Sequence, residues 1–279
     1  MSAPDRRLTS ADVDACMRLV AEAGWNQTAN DWNTILTVGE GRGLFRDGQL
    51  IATAAIIPHG TVGWVCMVLV TASEQRRGYA TKLLEWAGAR LTGCGLTPGL
   101  DATPAGRQVY LRLGYRDIYS ITRLQCDALV AQNLNGCAVR SATPEDLEAI
   151  AALDRNAFVL DRTPLLASLL RRQPGLAKAK FVGSECVGFV LGREGRRATQ
   201  IGPLVAVDDT VAADLLGAVL PKIDGPAYID VPDRHVEIHS VLRQRGFTSQ
   251  RQFTRMLHGR SEPFDDAARV FALTGPEFA

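Results

Sequence analysis

The chain has 279 residues, enough for two domains of ordinary size, and 46% hydrophobic against 22% charged residues describes a globular protein with a substantial core. A formal net charge of +1 supplies no general attraction to nucleic acid or anionic lipid, so neither is expected as a partner and any anion must be bound locally. No apolar run approaches the roughly 18 residues of a membrane span, and the opening Met1-Ser2-Ala3-Pro4-Asp5 lacks a signal-peptide core, so the expected location is cytoplasmic.

In chain order, Thr9 followed by Asp12 caps a first helix with Val13, Cys16, Met17 and Val20 on one face, and a second helical stretch covers Asn30 to Leu36. Gly43 to Arg46 and Leu50 to Ile57 read as short strands split by the turn Asp47-Gly48, and Val62 to Val70 as a third strand. Tyr79 to Leu91 has a helical stripe of Ala80, Leu83, Leu84, Ala87 and Leu91. Leu100-Asp101 is a short strand, Pro104 opens a helix that ends at Gly114, and Ile118 to Leu124 is a last strand. Hairpins early and crossovers late give an α+β, or mixed α/β, unit.

The outline then repeats. Thr143-Pro-Glu-Asp146 matches Thr9-Ser-Ala-Asp12 at an offset of 134; Gly246-Phe247 and Thr254-Arg255-Met256 match Gly114-Tyr115 and Thr122-Arg123-Leu124 at 132. Agreement in phase at both ends predicts a duplication. The expected domains are 1–130 and 137–260, joined near Gln132 to Gly136, with a tail over 261–279 whose Phe264, Val270, Phe271 and Phe278 favour docking.

Between the third strand and its helix lies Gln75-Arg76-Arg77-Gly78-Tyr79-Ala80. Amides at a helix start have no intrahelical acceptor and sit at the positive end of the dipole, so a strand, a basic glycine turn and a helix make a pyrophosphate cradle. The second half lacks it: Asp208-Asp209 begins the corresponding helix and would repel phosphate. Cys16, Cys66, Cys94, Cys126, Cys137 and Cys186 form no C-x-x-C pair and read as small hydrophobes. His235 and His239 lie four apart with no third ligand apparent, so they read as a polar helix face and no metal is expected.

Gln75, Gly78 and Ala80 occupy the fixed positions of an R/Q-x-x-G-x-G/A signature, and Tyr110 precedes Gly114-Tyr115 by the spacing of a second pattern. On these residues the first half resembles the GCN5-related N-acetyltransferases, and the whole a tandem, YitH-type group in which an active domain precedes a degenerate copy. The resemblance implies two tandem domains, each a mixed, mostly antiparallel sheet flanked by helices. It implies acetyl-CoA as donor and a small-molecule primary amine as partner. The backbone of Val68, Leu69 and Val70 would hold the pantetheine arm, and the amides from Arg76 to Thr81 the pyrophosphate.

Thioester aminolysis also needs a proton for the departing thiolate, and Tyr110, with an ordinary pKa near 10, is the candidate acid. The strand before the loop, Trp64 to Val70, carries no carboxylate, which leaves Asp101, His59 or Glu74 as base, or a water relay with none. Asp101 can equally cap the helix at Pro104. Thr103 stands where the family often has Asn, and Leu242 where the second half would need a tyrosine. Trp25, Trp32, His59, Asp161 and Tyr228 are candidate walls of an acceptor pocket; Asp161-Arg162 also reads as an exposed pair. The alternatives are a peptide or protein N-terminus as acceptor, or an acetyl-CoA sensor without chemistry. Oligomeric state is not encoded in any of these features.

Overall fold

The computed structural model describes residues 4–129 and 139–279, so the linker expected at Gln132 to Gly136 lies outside the described residues, as does Cys137. The first half contains strands β1 (Asp5–Arg7), β2 (Glu40–Arg46), β3 (Gln49–His59), β4 (Val62–Val70), β5 (Thr97–Ala102) and β6 (Tyr115–Cys126). Its helices are α1 (Val13–Glu22), α2 (Ala29–Val38), α3 (Tyr79–Thr92) and α4 (Pro104–Arg112). The second half follows the same order with β7 (Val139–Ser141), β8 (Lys178–Val182), β9 (Glu185–Arg193), β10 (Thr199–Ala206), β11 (Ala227–Pro232), β12 (Thr248–His258) and β13 (Val270–Ala272). Its helices are α5 (Leu147–Phe158), α6 (Thr163–Arg172), α7 (Asp209–Val219) and α8 (Val236–Arg243).

Local chemistry explains the element ends. Asp12 accepts from the Thr9 amide at 2.9 Å and from Arg6 at 2.6 Å; Asp146 repeats this with Thr143 at 2.9 Å and Arg140 at 2.6 Å. These capping boxes satisfy donors that a helix start leaves open. The Arg6 guanidinium is the main reason the Asp12 carboxyl falls to about 2. Asp47 and Gly48 both take positive φ, 50° and 78°, which a tight two-residue hairpin demands.

The strands form one mixed, mostly antiparallel sheet in the order β1-β2-β3-β4-β5-β12-β6-β11-β10-β9-β8-β7, with β13 against β10. The two halves exchange their last strands. β12 pairs with β5, from Thr254↔Ala102 to Leu257↔Gly99, while β6 pairs with β11, from Cys126↔Ala227 to Ile121↔Pro232. β6 and β12 also pair with each other down the middle. The duplicated units are therefore laced into one sheet rather than set side by side.

The largest apolar cluster draws Trp32, Trp64, Phe158, Phe189 and Phe278 from both halves, all fully buried. Each such side chain is worth about 1.5–3 kcal/mol of burial, so the shared core commits the halves to each other. The tail docks into this core: Trp64 Nε1 donates to the Pro276 carbonyl at 2.9 Å, and Arg162 Nη1 donates to the Ala279 carbonyl at 2.9 Å. Arg162 is not an exposed pair with Asp161. Its side chain is fully buried and holds Asp154 at 2.6 and 3.0 Å, while Asp161 turns outward to accept from Thr163. Nor do the two histidines form a polar face. His235 bonds the Val270 carbonyl at 2.8 Å and both rings are buried; among the described residues no group of three or more ligands is arranged for a metal. No described helix is long and apolar enough to cross a membrane.

Candidate active site

β4 and β5 run parallel only from Val62↔Thr97 to Trp64↔Gly99. Beyond that point β4 bulges. Two residues, Thr53 and Ala55, span the interval on β3 that Leu69 and Cys66 span with one more residue on β4. Met67 takes φ 52°, and its carbonyl accepts from the Thr53 hydroxyl at 2.8 Å. A bulge adds twist and turns the strand aside. β4 therefore leaves β5, and the backbone of Val68, Leu69 and Val70 faces no described strand on that side.

The loop after β4 is anchored at its start by two side chains. Glu22 on α1 accepts from the Ala72 amide and from the Thr71 hydroxyl at 2.8 Å; those two bonds, the amide first, hold its carboxyl below the usual range. Gln75 Nε2 donates back to the Val70 carbonyl at 3.2 Å. Arg76 and Gly78 then take φ 62° and 83°, and the first α3 bond is from Lys82 N to Gly78 O. Among the described residues the amides of Arg76, Arg77, Gly78, Tyr79, Ala80 and Thr81 donate to no protein acceptor. A Cβ built on Gly78 would meet nothing within 4 Å, so the cradle opens outward. Buried Glu74 accepts from Arg46 at 2.5 Å and lies 3.5 Å from Arg77, which leaves Arg76 as the loop cation without a carboxylate within 4 Å among the described residues.

A cavity of about 240 Å³ joins this opening to the strand exchange. One wall is the β4 stretch from Val65 to Val68 with Tyr110 and Val109 of α4. Thr103 caps α4, accepting from the Gly106 amide at 3.2 Å, so the cap is Thr103 and not Asp101. Tyr110 packs against Tyr115 with ring centres 5.9 Å apart, and burial pushes its phenol up to about 12.

Asp101 also lines the cavity, but its oxygens are occupied. Arg255 of β12 donates to both, at 3.0 Å each, and its remaining nitrogen reaches Tyr119 at 2.9 Å and Asp265 at 3.2 Å. Burial pushes the Asp101 carboxyl up, and the guanidinium opposes it. The second half repeats the arrangement in mirror role: Asp230 of β11 takes both nitrogens of Arg123 of β6 at 2.7 Å. The duplicated Thr-Arg pairs thus sit on the exchanged strands, each arginine reaching the carboxylate of the other half's preceding strand. The half whose α7 begins at Asp208-Asp209 has the same pair, which marks it as a register pin for strand exchange.

Other expected groups disperse. Of the candidate wall residues, Trp25 and Tyr228 line the cavity; Trp32 is in the core and Asp161 points to solvent. His59 is buried away from the cavity, and burial, helped by Arg162, lowers it to about 3, too weak a base to take a proton from an amine. The cavity's other wall is made of Gln27, Arg197, Gln250, Arg251, Phe253 and Glu277, which sequence spacing did not single out. They come together only because β12 lies beside β6 and the tail returns across the core.

In the second half, β10 and β11 also pair over three residues and part at a bulge, here Gly202–Pro203. The opening is filled by β13, which pairs with β10 at Leu204↔Ala272 and donates Leu273 N to Asp230 O at 2.9 Å. Asp208 caps α7 by accepting from the Val211 amide at 2.8 Å, and Leu242 is buried where Tyr110 stands in the first half.

Residues 40–117 and residues 150–272 each match a family model described as an acetyltransferase (GNAT) domain. An uncharacterized N-acetyltransferase, YitH, of Bacillus subtilis is 23% identical over 271 residues, covering 96% of this chain and 95% of that protein. A putative acetyltransferase from Pyrococcus horikoshii shares the fold at a TM-score of 0.83 and 19% identity, over 100% of this chain and 96% of that one. A tandem GNAT protein from the clavulanic acid biosynthesis pathway shares it at 0.62 and 15%, over 93% and 99%.

Proposed function

Because this chain belongs to the GCN5-related N-acetyltransferase family, with two of its domains in tandem, we propose that its first half transfers an acetyl group from acetyl-CoA to the primary amine of a small molecule. The observation that carries this reading is the parting of β4 from β5 beside six unsatisfied amides, with the cavity between them. A second strand-like ligand fits the open edge of β4, and the pantetheine arm with its amides is such a ligand. The amides from Arg76 to Thr81, at the positive end of α3 and beside Arg76, would take the pyrophosphate.

Acetyl transfer by direct attack in a ternary complex needs only positioning and charge stabilisation. The amine lone pair forms the new C–N bond, the carbonyl oxygen gains charge, and the C–S bond then breaks to release the thiolate. A backbone N–H near the Met67 bulge would face that oxygen. With its phenol at about 12, Tyr110 keeps its proton more firmly than a thiol near 8.5 does. Its role is therefore to donate a hydrogen bond to the departing sulfur and stabilise the charge there. The surplus proton on the new amide nitrogen leaves through water in the cavity, since Asp101 is bound to Arg255.

Calorimetry with coenzyme A, followed by thiol release against a panel of amines, tests this. Uptake with release from some acceptor supports it. Absence of uptake removes it, and uptake without release from any acceptor leaves the non-catalytic sensor.

A further inference from the structure

The wall facing Tyr110 holds an arrangement that acetyl-CoA does not account for. On β12 the register moves from Ser249↔Leu124 to Arg251↔Arg123, so Gln250 is one residue more than β6 can match. Alternation along a regular strand would send neighbours to opposite faces, and the bulge removes that restriction. Gln250, Arg251 and Phe253 all line the cavity.

Arg251 has, among the described residues, no carboxylate within 4 Å and no hydrogen-bond partner, although it is half-buried. Its neighbours do have partners: Arg123 is matched by Asp230, and Arg197 donates to the Gly24 carbonyl at 3.1 Å. Burial and then the Arg123 charge push Arg251 below its ordinary value, a cost that a bound anion would remove. Two glutamines of the same cavity lining, Gln27 and Gln250, carry acceptor oxygens. Gln27 Nε2 donates to Glu277 Oε2 at 2.7 Å, and because a carboxylate cannot donate, this bond fixes the amide orientation. Among the described residues Gln27 Oε1 is left buried without a donor, and so is Gln250 Oε1. A guanidinium lacking an anion and two oxygens lacking N–H groups are complementary to one molecule bearing both.

Resting on the acetyl-transfer reading above, we infer that the acceptor is a small amine that carries an anionic group, with Arg251 anchoring the anion and the Gln27 and Gln250 oxygens receiving the amine N–H groups. The anion is a carboxylate or a phosphate, since a guanidinium takes either in the same fork.

The test is calorimetry on the full chain, with and without coenzyme A, using matched probes. Phenylalanine, leucine and alanine are set against phenethylamine, isoamylamine and ethylamine; phosphoethanolamine against ethanolamine forms the phosphate arm. At least one anionic member should bind tenfold or more tighter than its partner. Arg251→Gln should abolish that difference with coenzyme A affinity kept, and Arg251→Lys should restore part of it. Equal binding within every pair, no binding by any anionic member, or a preference that survives Arg251→Gln overturns the inference. Loss of coenzyme A uptake with the preference intact in the unliganded protein would remove acetyl transfer alone.

Discussion

Asp101→Asn separates a base from a structural pin, and Asp230→Asn is its control in the other half. Removing one partner of a buried ion pair costs about 3–5 kcal/mol because a charge is left behind in the core. Arg255 would keep Asp265 at 3.2 Å and the Tyr119 hydroxyl, so Asp101→Asn belongs near 3 kcal/mol. Arg123 has no other carboxylate within 4 Å among the described residues, so Asp230→Asn belongs near 5 kcal/mol. With an unfolding entropy of about 2.1 cal/mol/K per residue, the melting temperature should fall by about 5 °C and about 8 °C respectively. Urea midpoints should keep this ranking. In the isolated pair of the other half, the double variant Asp230→Asn/Arg123→Met, which removes both charges, should recover most of the loss. Turnover abolished by Asp101→Asn, with melting within 1 °C of the parent, would refute the ion-pair reasoning and make Asp101 a base.

Tyr110→Phe should lower kcat at least tenfold while the Kd for coenzyme A stays within twofold; unchanged turnover removes the sulfur-side hydrogen bond. Gly78→Ala forces an alanine to φ near 83°, at about 1–2 kcal/mol. Coenzyme A affinity should fall at least fivefold while melting drops only about 2–3 °C. Calorimetry should find one coenzyme A per chain, since β13 fills the second opening; two equivalent sites contradict this. His59 titrates near 6.5 when unfolded and near 3 when folded, so the unfolded chain takes up the proton first as pH falls. Its contribution is complete above pH 6.5 and is lost towards pH 3. His59→Gln should therefore remove about 2 kcal/mol of the stability lost between pH 7 and pH 5 in urea titrations.

Features decided within a few residues could be read directly from the sequence. The Asp47-Gly48 hairpin, the Thr9 and Thr143 caps, the β4 run and the α3 stripe all depend on local dihedral and periodicity rules. The exchange of strands does not. β6 and β12 carry nearly the same segment, Thr122-Arg123-Leu124 and Thr254-Arg255-Met256, so local preference fits either strand beside β5. That ambiguity is what made Asp101 resemble a free carboxylate, because its partner lies 154 residues away. It also hid the Arg251 wall, which depends on one unmatched residue in β12. The second half shows the same limit of local rules: the acidic start at Asp208 is visible in the sequence, whereas the return of β13 into the gap depends on contacts about 65 residues apart along the chain.

The crossing of β6 and β12 makes the cavity joint property. Severed between residues 129 and 139, the amino-terminal piece would contain the loop from Gln75 to Ala80 and Tyr110 yet lose Gln250, Arg251 and Phe253, along with the β12 neighbour of β5. The carboxy-terminal piece would hold that wall without the β4 and α4 residues that face it. The second half is thus no passenger, for it owns the strand that completes the wall of its sibling's cavity.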